Sequence, residues 1–525
     1  MHRRDFLLGA AASSAIVATP SVRAAARFQY LETSVAELQA RMSAGRLTAR
    51  TLAAGYLARI GAIDRKGPRI CSVIERNPDA LAVAAERDRE RKAGVLRGPL
   101  HGIPVLLKDN IATRDRMSTS AGSLALANLP APRDAFLVAR MRDAGAVILG
   151  KTNLSEWANF RSTRSSSGWS ARGGLTRNPY ALDRSASGSS SGSAAAIAAS
   201  LAAVAVGTET DGSITSPASK NGLVGLKPTV GLVSRDGIVP IASSQDTAGP
   251  MARTVADAAA LLGALAGTDA RDSATHDARG HADYMRFLDK DGLRGARLGV
   301  ARGYVVGNDR VQALFDQAVV RLKALGAEVV DPVALPPRSS FGDAELEVLL
   351  HEFKAGLASY LAEFAPGAPI RNIDDLIAYN ERDRAREMPF FGQELLVMAA
   401  ARGGLDSAVY RDALARARRA TRDDGIDKAL SEHRLDALIA PTGGPAWLID
   451  LVNGDNHSGG FTSPAAVAGV PHITVPMGQV AGLPVGLSFV GPAWSEPVLL
   501  RLAYAFEQAT QHRRVPTFAR TVDLA

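Results

Sequence analysis

Lys108, Ser189 and Ser213 are the residues whose type and setting point to chemistry. Lys108 closes the run HGIPVLLKDN, an aliphatic stretch bounded by Gly, Pro and Asp that reads as a buried strand. Such a strand carries its last lysine toward the interior, where desolvation disfavours the ammonium and leaves an amine able to take a proton. Ser189 lies in SGSSSGS, and Ser213 lies 24 positions further on in TETDGS. Loops of Ser and Gly let the backbone approach another group closely and present N–H groups to an anion. A hydroxyl, a base and anion-binding amides are the parts needed to cleave an amide, because an alcohol is a weak nucleophile and the new oxyanion must be stabilised. Taken singly, a lysine after a strand is usually a surface residue and a serine in a turn usually a cap.

The loops, together with VGLKPTVGLVSRDGIVPIASSQDTAGPMARTVADAA and the late LPVGLSFVG, resemble the amidase signature family over nearly the whole chain after its first residues. The resemblance implies a relay in which Lys108 takes a proton from Ser189, Ser189 takes one from Ser213, and Ser213 attacks the carbonyl. It implies an oxyanion hole of backbone N–H groups at Thr210, Asp211, Gly212 and Ser213, and no metal or organic cofactor. Ser187 and Ser191 where Gly is usual, Glu209 for Asp and Asp211 for the first Gly of GGS depart from the commonest pattern. With NLSEWANFRS, SGWSARGG, EFKAGL and FGQELL, these departures resemble the peptide amidase branch, which implies release of ammonia from the C-terminal carboxamide of peptides. A broad hydrolase of small aliphatic or aryl amides is the alternative. Asp211 either accepts a hydrogen bond from the leaving amide nitrogen or stabilises a turn. Trp157 and Trp169 either line a side-chain pocket or belong to the core, and Glu156 reads as a buried structural partner.

Two other motifs compete. Residues 145–152, GAVILGKT, fit GxxxxGK[ST], but a phosphate loop must follow a strand, and here residues 146–149 are themselves the strand. Residues 188–192 fit G-x-S-x-G with Ser190 at the centre, which needs a downstream histidine such as His433 or His472 and leaves Lys108 unexplained.

The elements that must position these residues alternate. Apolar runs recur at 146–149, 298–300, 328–330, 435–440, 473–475 and 485–490, separated by helical periodicity at 136–144, 255–266, 311–325 and 496–510. Earlier, helical patterns cover 35–63 and 79–94, and the alanine-rich run 194–206, apolar all round, predicts one buried helix between the serine loops. This order predicts an α/β fold with a single large mixed sheet covered by helices on both faces, spanning 27–525 with a mainly helical insert at about 331–425.

Residues 1–26 place Arg3 and Arg4 before an apolar stretch and a small-residue site, which reads as a twin-arginine export signal and predicts a periplasmic protein without stable membrane association. The location argues against an amidotransferase component that works on charged tRNA, and the intact Lys and Ser residues argue against an inactive binding protein. Net charge is +8, yet the densest basic patch, RDALARARRATR at 411–422, has helical apolar spacing and reads as a solvated face, so nucleic acid is not expected as a partner; a small-molecule or peptide amide is. The single cysteine, Cys71, reads as a small buried residue.

Overall fold

The computed structural model describes residues 28–305, 307–522 and 524, so residues 1–26, read from the sequence as an export signal, lie outside the described residues. The chain divides after Leu31, and the larger unit, which begins at Glu32, holds the sheet.

Thirteen strands organise its described residues: β1 (Val73–Arg76), β2 (Pro104–Lys108), β3 (Val147–Thr152), β4 (Trp169–Ser170), β5 (Gly174–Leu175), β6 (Val204–Glu209), β7 (Val224–Lys227), β8 (Thr247–Ala252), β9 (Arg297–Val300), β10 (Glu328–Val330), β11 (Ala437–Pro441), β12 (His472–Val480) and β13 (Leu483–Val490). All but the small β4–β5 pair join one sheet in the order β1-β3-β2-β6-β8-β7-β12-β13-β11-β9-β10. It is mixed: β2 runs parallel to β3 and β6, while β8 runs antiparallel to β6 and β7. Every residue of β2, β3, β6, β7 and β8 is buried, as strands covered on both faces must be. Between β10 and β11 the regular elements are all helical, the longest being Gly342–Phe364.

The structure redraws three sequence expectations. The pattern at 35–63 breaks into Val35–Ser43 and Ala49–Arg59, the second continued by the π-helical Ile60–Arg65, because Gly45 turns left-handed (φ +68°) and Thr48 caps a new start. The alanine-rich run is not one helix. The helix Ser191–Ala198 ends early, and Val204–Glu209 becomes the interior strand β6, with Val204 and Val206 facing Val105 and Leu107 of β2. All-round apolarity suits a buried strand as well as a buried helix, and the β-branched valines and available partners decide for the strand. Cys71 is only half-buried, in a loop with φ 53°. Besides β6, strands β1, β4, β5, β7 and β8 lie outside the predicted set. For β8 the reason is plain, since Gly249 and Pro250 in TAGPMA read as a turn yet sit opposite Gly207 and Val206 in the sheet interior.

The phosphate-loop resemblance dissolves in the fold. Gly145 ends the helix Phe136–Asp143 with φ +76°, and Lys151 is buried on β3. Its ammonium donates to the carbonyls of Ile111 (2.7 Å) and Ser118 (3.1 Å) and to Thr119 Oγ1 (2.9 Å), pinning the segment that follows Lys108. Along the basic patch the helix Ala408–Arg418 buries Ala413 and Ala417 and leaves Arg411, Arg416 and Arg418 in solvent. No helix among the described residues is long and apolar enough to cross a membrane.

Replacing Lys151 with Met leaves three buried acceptors without their donor. We expect a loss of about 3 kcal/mol in stability, measured as a lower urea midpoint, with no nucleotide binding in either protein by calorimetry.

Candidate active site

Lys108 is the last residue of β2, the third strand from one edge of the sheet and the neighbour of β6, and is fully buried. Its Nζ lies 2.7 Å from Ser189 Oγ, 2.8 Å from Thr208 Oγ1 and 3.2 Å from the Thr208 carbonyl oxygen. Burial pulls its pKa from the ordinary lysine value down to about 7, against the opposing pull of the Asp246 and Glu209 charges. Asn110 Nδ2 donates to the same Thr208 hydroxyl at 2.9 Å. Thr208 therefore receives a donor from each of two residues of the Lys108–Asn110 turn.

The serine loop reaches the amine because its own hydroxyls hold it down. Ser190 Oγ donates to the Thr208 carbonyl (3.0 Å) and accepts from the Thr208 N–H (3.2 Å), while Ser193 Oγ donates to the Val206 carbonyl (3.1 Å). Ser190 is thus a structural clamp. Of its nominated histidine partners, His472 is buried in β12 with Nε2 2.6 Å from Ser488 Oγ, its pKa pushed down to about 3 by burial, and His433 follows the helix Asp427–Glu432. The nucleophile-elbow reading has no support in this arrangement.

Ser213 follows β6 in the second loop and is buried. The Ser190 N–H donates to the Ser213 carbonyl at 3.2 Å, which stitches the two serine loops together. Below the second loop sits Glu209, which accepts from the N–H groups of Ile214 (2.7 Å) and Thr215 (2.9 Å) at the start of the helix Thr215–Lys220. Thr210 is braced from β8's approach: its hydroxyl donates to Asp246 (2.5 Å) and its carbonyl accepts from Gln245 Nε2 (3.2 Å). Burial raises Asp246 to about 6 even though Ile241 and Ala242 N–H groups also hold it. Gly212 has φ +76°, and a Cβ there would stand 3.0 Å from Thr462 Oγ1. Asp211 accepts from Thr462 Oγ1 (2.8 Å) and Ser463 Oγ (2.6 Å), so its carboxylate braces the loop across the cavity.

A cavity of about 290 Å³ opens here, lined by Gly188, Asp211 and Gly212 beside the two serines and by Lys220, Trp447 and Thr462 opposite. Trp157 and Trp169 are not among its walls. Trp157 packs edge-on to Phe353, and Trp169 lies between Phe390 and Phe391. Glu156 accepts from buried Arg161 Nη1 (2.5 Å) and from the Ala171 N–H (2.7 Å). Among the described residues no group of His, Cys, Asp and Glu could hold a metal ion.

The model of the family described as Amidase matches residues 52–500. This chain belongs to the amidase signature family. The native peptide amidase from Stenotrophomonas maltophilia superimposes with a TM-score of 0.90 at 58% identity, covering 94% of this chain and 99% of that one. A probable amidase from Arabidopsis thaliana is 40% identical, covering 98% of this amidase and 96% of the relative. A component of the glutamyl-tRNA(Gln) amidotransferase from Microcystis aeruginosa is 37% identical over 93% of this chain and 99% of its own. The amidase is an amide hydrolase, and an amide is its substrate.

Sequence reading missed Thr208 and Asn110 as neighbours of the buried amine. Both stand close to chosen residues in sequence, but only the pairing of β2 with β6 brings Thr208 to Lys108.

Glu209→Gln removes the carboxylate that two amides share. The expected results are a stability loss of about 1–3 kcal/mol in denaturant unfolding and a lower kcat, because the loop that carries Ser213 loses its anchor.

Proposed function

We propose that this amidase releases ammonia from the C-terminal carboxamide of peptides through an acyl-enzyme on Ser213. The observation that carries the chemistry is the 2.7 Å contact between a fully buried lysine and Ser189. A neutral amine has two N–H bonds and one lone pair. With the two N–H bonds given to the Thr208 carbonyl and hydroxyl, the lone pair faces Ser189 and takes its proton.

Ser189 then takes the proton of Ser213, whose oxygen adds to the substrate carbonyl. The amides of Ile214 and Thr215 are held by Glu209, so an oxyanion hole in this loop draws on the N–H groups of Thr210, Asp211, Gly212 and Ser213. Collapse of the tetrahedral intermediate breaks the C–N bond as the proton returns along the same path to the departing nitrogen. Water then adds to the ester, its proton following the relay, and frees the acid and Ser213.

The peptide specificity rests on 58% identity to a peptide amidase over nearly the full length of both chains, and on a polar cavity large enough for more than a carboxamide. Action outside the cytoplasm belongs to the same proposal and rests on the RRDFL segment near the start of the sequence.

Lys108→Ala is expected to lower kcat about 10³-fold while leaving the far-ultraviolet spectrum unchanged. In wild type, the neutral fraction of Lys108 grows as pH climbs through about 7, so kcat/KM rises across that range and levels off above it. Ammonia release from peptide amides should outpace release from benzamide; much faster turnover of benzamide would replace the peptide reading with a broad amidase.

A further inference from the structure

The cavity contains a second lysine–serine–serine chain. Lys220, the last residue of the helix Thr215–Lys220, is buried, and its Nζ donates to Ser216 Oγ at 3.1 Å. Ser216 Oγ lies 3.0 Å from Ser187 Oγ, and all three side chains belong to residues lining the cavity. With Lys220 donating to Ser216 and Ser216 to Ser187, the Ser187 hydroxyl keeps its proton for an acceptor in the cavity, two residues from Ser189. Lys220 also stands 5.4 Å from the centre of the Trp447 ring.

The charges around Lys220 are already engaged elsewhere. Asp455 accepts from the Ser167 N–H (2.9 Å) and Trp447 Nε1 (3.0 Å), and Asp211 from Thr462 and Ser463. Arg338 reaches Glu345 (3.2 Å) and Ser463, and His457 lines the cavity as a further titratable group. A buried ammonium held by a hydroxyl and a ring, with no carboxylate in ion-pair contact among the described residues, has its desolvation uncompensated. An anionic ligand would supply that compensation.

We propose that Lys220, Ser216 and Ser187 form an anion subsite that takes a carboxylate carried on the acyl part of the amide substrate. The proposal rests on this cavity being the acyl site, and it adds a preference for acidic acyl groups. The preference has a pH signature: burial brings Lys220 down to about 8, so it weakens as pH passes that value.

The test compares kcat/KM for succinamate with butyramide, and for N-acetylglutamate α-amide with N-acetylmethionine amide, in wild type, Lys220→Met and Lys220→Arg. The expected result is an acidic-to-neutral ratio in wild type that falls about tenfold in Lys220→Met through KM. Lys220→Arg should keep most of the ratio and hold it above pH 8. A wild-type ratio near one, or equal losses on both members of a pair in Lys220→Met, overturns the subsite. If Lys220→Met fails to fold, the Lys220→Arg profile decides: a ratio that falls above pH 8 as in wild type also overturns it. Lysine-dependent preference on the small pair with no turnover of either peptide amide supports the subsite and removes the peptide reading.

Discussion

The site depends on keeping one primary amine away from water. Lys108 sits at the end of a strand with neighbours on both sides, and the whole neighbourhood is arranged to receive its nitrogen without offering it a close counter-ion. A carboxylate in contact would restore the ammonium and remove the lone pair that the proposed relay needs. Instead the amine meets two hydroxyls and a carbonyl, groups that tolerate either protonation state. The nearest acids are put to other work: Glu209 anchors a helix start, and Asp246 holds Thr210. Their distant charges temper the desolvation without cancelling it.

Four buried lysines show how far surroundings decide what one residue type does. Lys108 faces a serine, whereas Lys151 spends its donors on two carbonyls and a hydroxyl. Lys227 donates to the Pro228 carbonyl within reach of the Glu209 and Glu496 charges. Lys220 opens onto the cavity. All four lose basicity through burial, and Lys220 also reaches a serine, so neither a depressed pKa nor a hydroxyl within hydrogen-bond reach identifies a base by itself.

Much of this was legible in the sequence, and the exceptions have physical reasons. The contact of Lys108 with Ser189 is the one the resemblance to a known family implied, the burial of Lys108 follows from its aliphatic strand, and the helix Glu496–Thr510 matches its periodicity to the residue. The mixed sheet was readable from alternating runs, but its central strands were not all visible. Val204–Glu209 is continuous with an alanine run, and Thr247–Ala252 contains the two residues that usually end strands. Strand partners supply what those segments lack, and partners are non-local information. The same holds for Thr208, which becomes a neighbour of Lys108 only when β6 lies beside β2. Asp211 illustrates a choice that only coordinates make, since its bracing contacts come from Thr462 and Ser463, some 250 residues away.

Arg161 carries one more consequence. Its guanidinium has no exposure, and it joins Glu156, just past β3, to the carbonyls of Glu387 and Phe391 in the helical excursion, with the Phe391 ring beneath it at 4.2 Å. Swinging that excursion outward would take two carbonyl acceptors and an aromatic face from a desolvated cation and leave it Glu156 alone. The excursion is thereby latched to the body of the fold through a buried cation, and its seating depends on the same contacts that keep Arg161 paired.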